Sequence, residues 1–149
     1  MDNESQNLTG TFVTTFYQKF KYLENEAANY SNALFEFKIR YGKKPEEAEP
    51  EELAQIMQQT KAVRYMLILI DSDFNALKTE IPELEEKEKE INTLIAKLVD
   101  QKFPSRNELR KLVHLFAGLF VKGVMAENLI QAGRVYQNLL GGYNEKGVQ

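Results

Sequence analysis

Asp71, Asp73 and Asn75 stand at alternate positions in the stretch DSDFNALKTEIPE. An EF-hand loop places its first three oxygen ligands at this spacing, then needs glycine at its sixth position and a bidentate glutamate at its twelfth. Counted from Asp71, those positions hold Ala76 and Pro82. Phe74 and Leu77 meanwhile carry the apolar period of the flanking residues straight through the motif. On a helix, residues two apart point about 200° away from each other, so the three side chains cannot converge on one ion. The stretch reads as helix, and no metal ligands are expected in it.

His114 is the single histidine, and there is no cysteine. A lone imidazole offers no zinc set, and with Arg110, Lys111 and Gly118 as its helical neighbours it has no carboxylate to orient it as a base. The chain lacks the paired Glu-x-x-His of di-iron bundles, a glycine-rich phosphate loop, a G-x-S-x-G elbow and a dinucleotide motif. No catalytic residue and no cofactor are therefore expected, and the protein is expected not to be an enzyme.

The whole chain has 149 residues, 43% hydrophobic and 28% charged, with a net charge of -3. That is enough for one domain with a real core, and it supplies no global field towards nucleic acid or an anionic membrane. The start, MDNESQNLTG, is polar and lacks the apolar stretch of an export signal. The most apolar run, residues 112–126, is shorter than the roughly 20 residues a membrane span needs, and His114 and Lys122 interrupt it. With no disulfide to form, a cytoplasmic location is expected. Three Asn-x-Ser/Thr triplets, at Asn3, Asn7 and Asn29, are then coincidental.

The elements that would position any site are helices. Phe16, Phe20, Leu23, Ala27, Tyr30, Leu34, Phe37 and Tyr41 recur at alternating steps of four and three. Leu53, Ile56, Thr60, Val63, Leu67, Ile70, Phe74, Leu77, Ile81 and Leu84 do the same, with Thr60 the one polar member. This period keeps one stripe turned towards a neighbour, as in coiled-coil and bundle seams. Gly42 with Pro45 and Pro50 ends the first helix, and Pro82 either kinks the second or opens a third. Ser105 and Glu108 form the pattern of a capping box before a last helix that Gly141 and Gly142 would stop. Gly118, Gly123 and Gly133 within it suggest a closely packed neighbour. The expected architecture is an elongated, antiparallel all-α bundle with helices at about 11–41, 51–80, 82–101 and 105–140. A flexible N-terminus (1–10) and C-terminal tail (142–149) would flank it.

Two surface features suggest what such a bundle would do. Tyr17, Phe35, Tyr65, Met66 and Leu69 fall off the main stripes, and a second apolar stripe implies either a central helix or an interface. Aromatic residues are favoured anchors there. The leading expectation is a protein–protein interaction module, a structural subunit or adaptor that binds itself or another protein. Cations also cluster at Lys38, Arg40, Lys43 and Lys44, and at Lys102, Arg106, Arg110 and Lys111. A separate helix after Pro82 would bring both clusters to one end of the bundle. The alternative expectation is then a nucleic-acid-binding subunit of a ribonucleoprotein or defence complex, with Lys43, Lys44, Arg106 and Arg110 as phosphate contacts. The run ELEEKEKE is read as a solvated helix face.

Overall fold

The computed structural model describes residues 2–121, 125–127 and 130, with side chains from residue 11 onward. Among these residues the chain is all-α, without a strand: α1 (Asp2–Tyr41), α2 (Ala54–Glu80), α3 (Glu85–Asp100) and α4 (Arg106–Val121). At 1.5 Å per residue, α1 is about 60 Å long, α2 about 40 Å, and α3 and α4 about 24 Å each.

Cross-helix pairs give the topology. Lys19 meets Asp73 at 2.7 Å and Lys43 meets Glu52 at 2.9 Å, so α1 and α2 run in opposite directions. Lys78 with Glu88, and Asn75 with Asn92, set α3 antiparallel to α2. Lys97 to Glu108 (2.7 Å) and Lys111 to Glu90 (3.7 Å) do the same for α4 on α3. Phe16 against Phe116, and Tyr30 against Pro104, close α4 back onto α1. Among the described residues these four long helices form an up-down-up-down bundle, the all-α class that the spacing predicts. Exposed pairs of this kind contribute only about 0–1 kcal/mol each, so they record the packing more than they hold it.

The holding is done by the stripes. All ten members of the second stripe are buried, from Leu53 to Leu84, including Thr60. Thr60 satisfies its hydroxyl internally by donating to the carbonyl of Ile56 at 2.8 Å. In the first stripe Phe16, Phe20, Leu23, Tyr30 and Phe37 are buried, while Ala27, Leu34 and Tyr41 pack against them half-buried. Ile91, Ile95 and Leu98 of α3, and Leu109, Leu112 and Phe116 of α4, add to the core. Each such side chain contributes about 1.5–3 kcal/mol by leaving water. Phe116 lies at the centre: its ring is 5.5 Å from Phe16, 6.4 Å from Phe20 and 6.1 Å from Phe74, in edge-on arrangements.

The breaks follow backbone chemistry. Gly42 takes φ +65°, and its N–H donates to the carbonyl of Lys38 at 2.8 Å, closing α1. Two short 3-10 turns, Pro45–Glu47 and Pro50–Leu53, carry the chain into α2. At the far end Ile81 leaves helical geometry (φ -127°, ψ 86°) and Pro82 opens a further 3-10 turn, Pro82–Leu84. Pro82 therefore separates two helices rather than kinking one. Ile81 and Leu84 remain buried on either side of it, so the chain reverses without lifting its stripe out of the core.

Three expectations change, and a fourth falls outside the described residues. The first helix starts at Asp2, not near residue 11: nothing before Gly10 breaks a helix, and Asp2 and Glu4 suit the positive end of its dipole. The capping box at the start of α4 is only half made. Ser105 Oγ accepts from the N–H of Glu108 at 3.4 Å, but the Glu108 carboxylate turns to Lys97, and Gln101 receives the Ser105 N–H instead. Gly118 has nothing within 4 Å of where a Cβ would stand, so a close neighbour does not explain it. The expected stop of the last helix near Gly141, with Gly123, Gly133 and the tail, lies outside the described residues.

Two substitutions test this packing by chemical denaturation. Phe116→Ala should cost about 3–5 kcal/mol, because three rings lose their shared neighbour. Gly118→Ala should instead stabilise the protein by up to about 1 kcal/mol, since open space awaits the methyl group.

Candidate functional site

The acidic triplet is dispersed on α2. Asp73 turns to α1 and binds Lys19, whereas Asp71 accepts from Asn75 Nδ2 at 3.3 Å and faces α3. Among the described residues no group of three or more acidic or histidine side chains could hold a metal ion.

The two basic clusters do lie towards one end of the bundle, but at different heights. Tyr30 donates its hydroxyl to the carbonyl of Pro104 at 2.8 Å, which fixes the level at which α4 begins beside α1. Arg64 likewise reaches the carbonyls of Gln101 and Lys102 where α3 ends. Past Ser31, α1 runs on for ten residues to Tyr41, about 15 Å, beside the start of α2 and the turn that precedes it. Lys43 and Lys44 sit at that far tip, among glutamates. Lys43 is bound to Glu52, whose carboxylate also accepts the N–H of Glu49 at 2.9 Å. These two hydrogen bonds, the lysine's first, hold the Glu52 carboxyl below its usual range, and Glu52 in turn raises Lys43. Arg40 lies over the ring of Tyr41. The proposed quartet of phosphate contacts is thus split, with Lys43 neutralised at the tip and Arg106 and Arg110 left on α4.

Those two arginines line a groove between α1 and α4, with a volume of about 330 Å³. Glu24, Ala27, Ala28 and Ser31 form its α1 side; Arg106, Leu109, Arg110, Val113, His114 and Ala117 form the other. Small side chains on both helices create the trough. Arg106, Arg110 and His114 follow each other at four-residue steps along its rim, and all three are exposed. No carboxylate among the described residues forms an ion pair with either arginine, and Glu24 is already bound to Lys21 at 2.8 Å. His114, which the sequence offered no partner, joins this row.

The apolar candidates divide by burial. Met66 is buried and Leu69 packs half-buried against the core, so both serve internal packing rather than a free face. Tyr17 is half-buried with its ring edge-on to Phe120 at 5.0 Å. Phe35 (60%) and Tyr65 (64%) remain exposed, and they are joined by Ile39 and Ile68, one turn along from each. Ile68 borders an open groove of about 420 Å³ between α2 and α3, together with Ile95, Ala96 and Val99.

No protein-family model, curated protein or solved structure matches this chain. No helix among the described residues is long and apolar enough to cross a membrane.

Tyr30 gives a direct test of how the groove end is fastened. Burial pushes its hydroxyl up to about 12; nearby Glu46 adds to the rise, and Arg64 and Arg106 oppose it. The folded state favours the neutral phenol, so the contribution is complete below about pH 10, the unfolded value, and is lost as pH climbs through 12. Tyr30→Phe should cost about 1–2 kcal/mol at neutral pH, because it orphans a buried carbonyl. In alkaline absorbance titrations the wild type should show one late tyrosine ionisation near pH 12 that Tyr30→Phe lacks.

Proposed function

We propose that this chain is a non-enzymatic protein–protein interaction module, a cytoplasmic structural subunit or adaptor of an oligomer or larger assembly. The observation that carries this reading is the outer face of α2. Tyr65 and Ile68 stand about one turn apart, 64% and 57% exposed, and Ile68 borders a groove lined by Ile95, Ala96 and Val99 together with Asp71, Asn75, Asn92 and Asp100. A bundle of this size buries one stripe per helix and turns polar residues outwards. An exposed tyrosine and isoleucine one turn apart, the second at the edge of a groove of mixed lining, form the kind of anchor that interfaces use. The 3–4 spacing of the inner seams supports coiled-coil-like packing within the bundle, which presents that face on a firm helix.

Light scattering at several concentrations tests self-assembly through this face. The wild type should exceed the 17.2 kDa of one chain. Tyr65→Glu with Ile68→Glu should return it to a single chain with unchanged helical circular dichroism. A wild-type mass of one chain at every concentration would rule out an oligomer built on this face.

A further inference from the structure

The groove between α1 and α4 has a different chemistry from the α2 face. We propose that it binds the phosphodiester backbone of a single nucleic-acid strand, with Arg106, Arg110 and His114 as the backbone contacts and Phe35 as a base-stacking ring.

Four-residue steps on a helix advance about 6 Å each, so the three α4 side chains form a ladder about 12 Å long. Lys102 lies in the non-helical connection that leads into α4 and adds an exposed cation near its start. Its ammonium lies 5.4 Å from the centre of the Phe103 ring and has no carboxylate partner among the described residues. The positive end of the α4 dipole adds to the same field. On the α1 side, positions 24, 28, 31, 35 and 38 recur at steps of four, three, four and three, and so share one stripe. The stripe that lines the groove at Glu24, Ala28 and Ser31 therefore continues to the exposed Phe35 and the exposed Lys38.

The shape of the groove and the nature of its surface select the ligand. The trough is open along both helices and suits an extended chain more than an enclosed small molecule. Ala27, Ala28, Val113 and Ala117 give its floor an apolar component, but the rim is set by Arg106 and Arg110, whose charge, unpaired among the described residues, favours an anionic strand over the apolar face of a partner helix. Arginine forks bind phosphate oxygens bidentately. A cationic track beside an exposed aromatic ring is what single-stranded nucleic acid needs: charge for the backbone and a flat face for a base. Glu24, the one carboxylate in the lining, is held by Lys21 and leaves the cations unneutralised.

The test is fluorescence anisotropy of the full chain with a labelled oligouridylate or oligothymidylate, titrated with salt. Saturable binding is expected, with log affinity falling against log salt by about 0.7 for each phosphate contact. Arg106→Ala with Arg110→Ala should weaken binding at least about tenfold and reduce that slope by about 1.4. Phe35→Ala should weaken binding about tenfold with the slope unchanged. Lys43→Ala with Lys44→Ala should alter neither. These residues are exposed except Lys43, which is partly buried, and circular dichroism should show the fold intact in every variant. The proposal is overturned if no oligonucleotide binds at low salt, or if the Arg106/Arg110 variant binds as the wild type does. Equal competition by tripolyphosphate would overturn the strand in favour of free phosphate. Equal competition by polyglutamate would overturn phosphate recognition altogether.

Discussion

The bundle depends on one aromatic contact set. Phe16 and Phe20 from α1, Phe74 from α2, and Phe116 and Phe120 from α4 are linked by six ring contacts at 5.3–6.4 Å. Rings of this size interlock in few ways, and edge-on packing rewards a particular rotation of each helix about its axis. Once α1, α2 and α4 are rotated to bring these rings together, their outward residues are determined as well. Tyr65 and Ile68 are turned to solvent by the same rotation that buries Val63, Leu67 and Ile70. Arg106 and Arg110 are brought beside Ala28 and Ser31 by the rotation that buries Leu109, Leu112 and Phe116.

Charge is distributed unevenly over that scaffold. At the tip of α1 and α2, lysines and glutamates lie in mixed company and Lys43 finds Glu52 at once. On the first half of α4 the arginines have no such company, because the facing stretch of α1 is alanine and serine with a single, already paired glutamate. A basic cluster counted along the chain is therefore a poor guide to field. What matters is which carboxylates the fold brings opposite, and the two clusters of this chain have different answers.

Much of the fold was legible from spacing alone. The two unbroken stripes give the helices, their buried faces and even the buried Thr60, because a period of three and four is a direct image of helix geometry. Gly42 and Pro82 mark their breaks for equally local reasons. The surface was less legible. Met66 lies off the main stripe, yet α2 has neighbours on two sides and buries a wider sector than one stripe. The row that includes His114 was invisible for a different reason: its significance comes from α1, more than seventy residues earlier in the chain. The Tyr30–Pro104 hydrogen bond is of the same kind. It could be suspected only from a phenol standing in a stripe of hydrocarbon side chains, where a hydroxyl must find an acceptor.

The unequal lengths of the helices have a consequence for how the molecule opens. In its middle, α1 is covered by α2 and α4; past Ser31 it packs on the start of α2 and on the folded-back connection that buries Leu53 and tucks in Ala48. Amide protons in that outer stretch are guarded by fewer side chains, so their exchange with solvent proceeds through a smaller, cheaper unfolding event than those beside Phe16. The paired tip of α1 and α2 is thus a separate opening unit. It can loosen and re-form while the aromatic centre, and the arginine row on α4, stay in place.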